Sequence, residues 1–297
     1  MEPICGLCCH FSMHGWTLRI HRRNDGRAEH VEKASVAVQP VALYDRDVRG
    51  RLRVGACQTP EILGDIERAL VCIEEFAAQA DAQAVHLLLF PECFLQGYLV
   101  EEQHVREHAL SLDSARFAAV LRRLARIEQT LVFGVIEQVD DRYFNTAVVV
   151  ARGELVGAYR KTHLVPGESL FDKGDTYPTF VLRGVRFGIN ICYDTQFGES
   201  AAPVAAQGSR LLLVPAQNMM RRAAALHWKH LHHAIRAERV RETGMWLVSA
   251  DVTGERDEHR IGWGPTSVIS PHAEVVAQVP LMTKGMVVAQ GEGKVEI

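Results

Sequence analysis

The sequence predicts an α/β fold, and three observations carry that expectation. Short continuous apolar runs, Val85 to Phe90 and Leu211 to Val214, are too short for helices and suit strands buried on both faces. Stretches with one apolar helical face lie between such runs. Adjacent extended segments are joined by turns as tight as Asp140-Asp141, which adds hairpins and makes a plain doubly wound parallel sheet too simple. Composition agrees. A chain of 297 residues with 47% hydrophobic and 23% charged residues has the makeup of one large or two smaller globular domains, not of a disordered, collagen-like or coiled-coil protein.

The elements follow in order. The first fifty residues lack a sustained period, and Asn24-Asp25-Gly26 marks a turn in a mostly polar stretch. The pattern changes at Arg51: Leu52 to Gln58 reads as a strand ending at Thr59-Pro60. Asp65 to Gln79 places Ile66, Ala69, Leu70, Ile73, Phe76 and Ala77 on one helical face. After the Val85–Phe90 strand, Phe117, Val120, Leu121, Leu124 and Ile127 mark a second helix, with Arg122, Arg123 and Arg126 on its wet side. Leu131–Val139 and Tyr143–Ala151 form a hairpin, and Arg152-Gly153 turns the chain into Leu155–Arg160. Val185–Ile191 is a strand, Ala201–Gln207 a helix and Leu211–Val214 a strand. One long helix is expected from His227 to Thr243, closed by Gly244. Strands follow at Trp246–Ala250, Thr266–Ile269 and Glu274–Val279. Two segments echo each other, His86-Leu-Leu-Leu-Phe-Pro-Glu92 and Arg210-Leu-Leu-Leu-Val-Pro-Ala216, hinting at two similar halves.

Charge and cysteine usage narrow the setting. A net charge of -3 argues against a nucleic-acid partner, and no run approaches the roughly 20 apolar residues of a membrane span. The seven cysteines are an odd number in a large chain, unlike a secreted disulfide framework. With no basic, apolar leader at the N-terminus, the expectation is a soluble cytoplasmic protein.

Three reactive groups stand where buried strands end. Glu92 follows Leu87 to Pro91, Lys161 lies in Tyr159-Arg-Lys-Thr-His-Leu164, and Cys192 closes Gly188-Ile-Asn-Ile-Cys192. Each alone reads as an ordinary loop carboxylate, surface lysine or inert buried thiol. Together they make an acyl-transfer set that uses neither histidine nor metal. A desolvated carboxylate deprotonates the thiol, the thiolate attacks a carbonyl, and the ammonium stabilises the oxyanion. The backbone N–H of Tyr193, next after the nucleophile, can add a second donor.

The segments Phe90-Pro91-Glu92, Tyr159-Arg160-Lys161-Thr162-His163-Leu164 and Ile191-Cys192-Tyr193-Asp194, in that order, resemble the three signature motifs of the nitrilase, or carbon–nitrogen hydrolase, superfamily. The similarity runs from about Arg51 nearly to the end and includes Gly264-Pro265-Thr266-Ser267 through Pro271. The resemblance implies a four-layer α-β-β-α sandwich over residues 51–297 that dimerises, with 1–50 as a peripheral N-terminal extension. It also implies Glu92 as general base, Lys161 as oxyanion stabiliser and Cys192 as nucleophile. Glu168, in Pro166-Gly167-Glu168, maps onto a second glutamate that positions substrate or lysine. Tyr193 and Tyr98 are candidate substrate contacts, and Tyr98 a candidate pocket wall. No cofactor and no metal are implied, and the partner is a small amide-type substrate.

Gln196-Phe197-Gly198-Glu199 stands where many members carry Arg-Phe-Pro-Glu, and Pro215-Ala216-Gln217-Asn218 stands where relatives often have Asn directly after Ala; the resemblance implies that both places border the pocket. The Trp-Glu that follows the cysteine of many true nitrilases is absent, which favours amide over nitrile substrates. N-carbamoyl compounds and nitriles remain alternatives on the same three residues, and a catalytically silent binding relative is a more distant one. A third class, a metal-dependent protein, would draw on His227, His230, His232 and His233 or on Cys5, Cys8, Cys9, His10, His14 and His21. The first group reads better as a polar helix face or a subunit contact, and the second lacks a paired half at zinc-finger spacing. His163 reads as structural, and Asp194 as a hydrogen-bond acceptor for backbone near the nucleophile turn.

Overall fold

Each Leu-Leu-Leu run sends alternate side chains into different cores. Leu87 and Leu89 join one cluster while Leu88 joins another, and Leu211 and Leu213 part from Leu212 in the same way. That is the period-2 consequence of a strand covered on both faces. The computed structural model describes residues 12–13, 16–17, 41–42, 52–290 and 294–295. The chain divides into two units, Met1–Gln39 and Pro40–Ile297. In the first, β1 (Ser12–Met13) pairs antiparallel with β2 (Trp16–Thr17). The Cys5, Cys8, Cys9, His10, His14 and His21 group lies outside the described residues.

In the second unit β3 (Val41–Ala42) and β4 (Arg53–Pro60) precede α1 (Ile66–Asp81). The Asp65 side chain caps α1 by accepting the Arg68 N–H at 2.9 Å. Then come β5 (Leu87–Leu89), α2 (Glu102–His108) and α3 (Ala115–Leu124), the last capped by Ser114, whose Oγ accepts the Phe117 N–H at 3.1 Å. The hairpins are as expected: β6 (Thr130–Val139), β7 (Arg142–Ala151) and β8 (Glu154–Arg160) are antiparallel neighbours. Arg152 and Gly153, at φ 50° and 74°, give the β7–β8 turn the left-handed pair that matches strand twist. Next are β9 (Thr179–Leu182), β10 (Val185–Ile189), a 3₁₀ turn over Cys192–Gln196, α4 (Gly198–Ala206), β11 (Leu211–Pro215) and β12 (Met220–Arg221). The chain continues through α5 (Arg222–Trp228), α6 (Leu231–Thr243), β13 (Trp246–Ala250), β14 (Val252–Glu255) and β15 (Arg260–Trp263). It closes with β16 (Ser267–Ile269), β17 (Val275–Gln278), β18 (Gly285–Gln290) and β19 (Lys294–Val295).

Two sheets result. One runs β17-β16-β13-β11-β10-β9-β3, with parallel pairs β10–β11 and β11–β13 at its centre. The other contains β12-β15-β14-β4-β5-β6-β7-β8, with β18 antiparallel beside β4. The echoing Leu runs are interior strands of the two sheets: β5 lies between β4 and β6, and β11 between β10 and β13. A core of Leu87, Leu89, Val149 and Tyr159 from one sheet and Phe187, Leu213, Val248 and Val268 from the other fills the space between them. Helices α1 and α3 cover the outer face of the second sheet through Ile73, Phe76 and Phe117. Helices α4 and α6 cover the first through Ala201, Val204 and Val240. The layering is α-β-β-α.

Several elements differ from the sequence expectation. Of the helix expected over 227–243, residues 231–243 form α6, while 227 and 228 end a separate helix, α5, that begins at Arg222. The Ala225 carbonyl, which a continuous helix would offer to the Lys229 amide, instead accepts the Trp263 indole N–H at 3.1 Å. Lys229 then turns its ammonium over the Trp263 ring at 4.2 Å. The helix ends where the sequence predicts: Gly244, at φ 69°, donates its N–H to the Val240 carbonyl at 2.8 Å. The sequence reading did not foresee α2, β9, β14, β15 or β18. Strand β3 falls inside the expected 1–50 extension, yet pairs parallel with β9. No helix among the described residues is long and apolar enough to cross a membrane.

Candidate active site

Five strand ends deliver the polar groups to one edge of the inter-sheet core. Glu92 follows β5, Lys161 follows β8, and Asn145 sits on β7, all in one sheet. Cys192 follows β10, Asn218 follows β11 and Asp251 follows β13, all in the other. The two halves touch at the backbone: the Glu92 N–H donates to the Ala216 carbonyl at 3.3 Å, joining the ends of the two echoing segments.

The centre is a buried ion cluster. Lys161 Nζ donates to Glu92 Oε1 at 2.7 Å and to Glu168 at 3.0 Å, with all three residues buried. Asn145 Nδ2 donates to the same two oxygens, at 2.7 Å to Glu92 Oε1 and 3.0 Å to Glu168 Oε1. Glu168 is itself held by the Val165 N–H, 2.8 Å from its Oε2. A buried ammonium and two carboxylates are tolerable only with such bonds in place. Among the described residues no hydrogen bond engages Glu92 Oε2, which leaves that oxygen for proton exchange. Burial pushes the Glu92 carboxyl up to about 7, and the Lys161 ammonium only partly opposes it. For Lys161 burial works against the charge, but Glu92 and Glu168 outweigh it and hold the ammonium above its usual range.

Cys192 stands at φ 42°, a left-handed conformation that costs a non-glycine residue energy and persists because the turn is tied down. The tie is Asp194. Its Oδ2 accepts the Ile191 N–H and the Tyr159 hydroxyl, both at 2.8 Å. Its Oδ1 accepts the His163 N–H at 2.8 Å and the Thr162 N–H at 3.2 Å. Asp194 therefore joins the nucleophile turn to the lysine loop, as the sequence reading expected of a backbone acceptor. His163 stacks on Phe197 at 4.0 Å and lies 2.9 Å from Ser200 Oγ, a packing role. Burial, and then the Glu92 charge, push the Cys192 thiol well up, so at rest it keeps its proton; Lys161 and the Gln217 backbone N–H pull the other way. A thiol in that state needs a base, and a carboxyl near 7 is matched to the task.

The sequence-predicted residues do not all face the same space. Glu92, Lys161 and Glu168 form the cluster. Tyr98 lies beside it, its ring centroid 5.9 Å from Lys161 Nζ. Cys192 and Tyr193 open instead onto a cavity of ≈ 340 Å³, with Val165, Met220, Trp228 and Ile235 among its apolar walls. Asn145, Asp251 and Arg236 escaped the sequence reading, which marks Asn218 only as part of a pocket-bordering segment. Asn218 Oδ1 lies 3.9 Å from Cys192 Sγ, and Asp251 Oδ1 accepts the Asn218 N–H at 2.9 Å while Oδ2 takes its side-chain amide. Arg236 Nη2 is 3.7 Å from Asp251 Oδ2. A polar residue inside an apolar strand, as Asn145 is in β7, was the one available signal. His227, His230, His232 and His233 form no metal site: among the described residues no group of three or more His, Cys, Asp or Glu side chains is placed to hold an ion.

Comparison with known proteins agrees with the geometry. The carbon–nitrogen hydrolase family matches residues 53–292. The chain is similar to an (R)-stereoselective amidase of a Pseudomonas species, 28% identical over 71% of this chain and 73% of the relative. A nitrilase of Pyrococcus abyssi is 31% identical over 69% of this chain and 76% of its own. Among solved structures, an amidase from a Nesterenkonia species superposes with a TM-score of 0.69 at 25% identity, covering 83% of this chain and 92% of that one.

Proposed function

As this chain belongs to the carbon–nitrogen hydrolase family, we propose that the buried cluster and the neighbouring thiol hydrolyse a small amide through a thioester. The protein is an amidohydrolase acting on carbon–nitrogen bonds other than peptide bonds. The observation that carries the mechanism is Lys161 held between Glu92 and Glu168 beside a thiol that is protonated at rest.

Glu92 takes the Cys192 proton and the thiolate attacks the amide carbonyl carbon. The oxyanion is met by the Lys161 ammonium and the Tyr193 backbone N–H. Glu92 returns the proton to the leaving nitrogen, the C–N bond breaks, and ammonia or an amine departs from a Cys192 thioester. Water that gives a proton to Glu92 then adds to the thioester carbonyl; collapse expels the thiolate, which recovers that proton, and the carboxylic acid is released. Glu168 positions Lys161 through its 3.0 Å contact, and Asn145 holds both carboxylates. Tyr98 walls the cluster on the lysine side.

The catalytic unit is residues 51–297, acting as a cytoplasmic homodimer, with 1–50 outside the chemistry. The four described cysteines are free, in keeping with a reducing compartment. The test is a panel of small amides, N-carbamoyl compounds and nitriles, with ammonia and carbon dioxide followed separately in wild type and Cys192→Ala. Ammonia release from amides, with no turnover by a folded Cys192→Ala protein, is the expected result. Wild-type rates in Cys192→Ala would overturn the mechanism.

A further inference from the structure

We propose that the chamber beside Cys192 accepts an uncharged amide with an apolar acyl chain and rejects amides whose chain ends in a carboxylate. This rests on the functional reading above and narrows its substrate class.

The apolar walls of the cavity are Val165, Pro166, Met220, Trp228 and Ile235, and the rest of its lining is largely neutral and polar. Among the described residues lining the cavity, the basic ones are Arg236 and His232. Neither is free to meet an incoming anion. Arg236 is 2% exposed, and its Nη1 donates to Ser249 Oγ and to the Pro265 carbonyl, both at 3.0 Å. Its charge is already set against Asp251, 3.7 Å from Nη2. His232 stacks at 5.8 Å on Trp228. Burial, and then the neighbouring Arg236 charge, push its imidazole down to about 3, so it is neutral at physiological pH.

Lys161 already faces two carboxylates and is needed for the oxyanion. The buried groups around the thiol thus set Glu92, Glu168 and Asp251 against Lys161 and Arg236. A carboxylate on the substrate would enter beside buried carboxyl groups, with no unpaired cation among the described lining residues, and would lose its water. An alkyl or aryl chain meets the opposite conditions: it leaves water for apolar walls and the flat Trp228 ring.

The experiment compares pentanamide with 5-amino-5-oxopentanoate, which replaces the terminal methyl by a carboxylate. Binding to Cys192→Ala is measured by ligand-observed NMR, and turnover in wild type. Pentanamide is expected to bind and to react at least ~100-fold better than the anion, as an unpaired buried charge demands. Equal or tighter binding of the anion, or no detectable binding of pentanamide, would overturn the inference. Selective pentanamide binding to Cys192→Ala without wild-type turnover would uphold the chamber's selectivity and sink the amide-hydrolysis reading instead.

Discussion

The Asp194 carboxylate accepts the His163 backbone N–H at 2.8 Å, so the turn that carries the nucleophile and the loop that follows Lys161 are fixed by one side chain. The same carboxylate holds the Ile191 N–H and the Tyr159 hydroxyl. Asp194→Ala therefore removes acceptors from several buried donors at once. It is expected to cost roughly 3 kcal/mol or more in urea unfolding. An Asp194→Ala protein of wild-type stability would show that these bonds do not hold the turn.

Glu92 sets the acid side of the pH profile. The working base is the ionised carboxylate, and burial pushes this group up to about 7. Below that pH the carboxyl gains a proton and the active fraction falls, so kcat/KM should drop about tenfold per pH unit. Activity rises with pH through this window. The limb should vanish, along with most turnover, in Glu92→Gln. An acid limb near 4 would place the essential ionisation elsewhere.

Asn145 tests how the two carboxylates are held. Its side chain bonds both Glu92 and Glu168, and its bond to Glu92 favours the charged form. Asn145→Ala should move the acid limb to higher pH and lower kcat by ~10–100-fold, the worth of a hydrogen bond to a charged group. A purely structural role would lower the yield or melting temperature and leave the limb in place.

Gly134, on β6, passes directly beneath the exit of β5. A Cβ there would lie 2.0 Å from the Cys93 backbone nitrogen and 2.6 Å from the Glu92 carbonyl carbon. Backbone cannot yield as a flexible side chain would, so Gly134→Ala should displace Glu92 or unfold the sheet, with a cost of roughly 1–3 kcal/mol or more. Normal activity and melting temperature in Gly134→Ala would refute this close approach.

The upstream segment can be tested by truncation. A chain beginning at Pro40 keeps β3 and its pairing with β9 and should retain activity. A chain beginning at Val48 loses that edge strand and should melt at a lower temperature with its kcat largely intact. An inactive but soluble Pro40 chain would place part of the site upstream.

The residues legible in the sequence were those that a strand's end delivers. Glu92, Lys161 and Cys192 each follow an apolar run, and the run announces both the strand and its exit. The layers were legible for a related reason, since consecutive leucines demand cover on two faces. Asn145 was not, because within the largely apolar β7 it is one polar letter beside another, Thr146, and nothing local says which partners it meets. Asp251 and Arg236 acquire meaning only through contacts across elements far apart in sequence. The break between α5 and α6 is likewise tertiary: Trp263, far along the chain from Ala225, claims the carbonyl that the helix would have used. Strand β18 was missed although it pairs with β4, because nothing local announces a partner more than two hundred residues upstream.

The Glu92–Ala216 backbone bond has a consequence for how the protein ages under heat. Base and ammonium ride on one sheet and the nucleophile on the other, so the reaction reads out the registration of two slabs across a greasy seam. A slip of an ångström along that seam would leave circular dichroism almost untouched, yet would part the thiol from its base. Turnover should fade before the melting curve moves, making catalysis an early warning of loosening between the sheets.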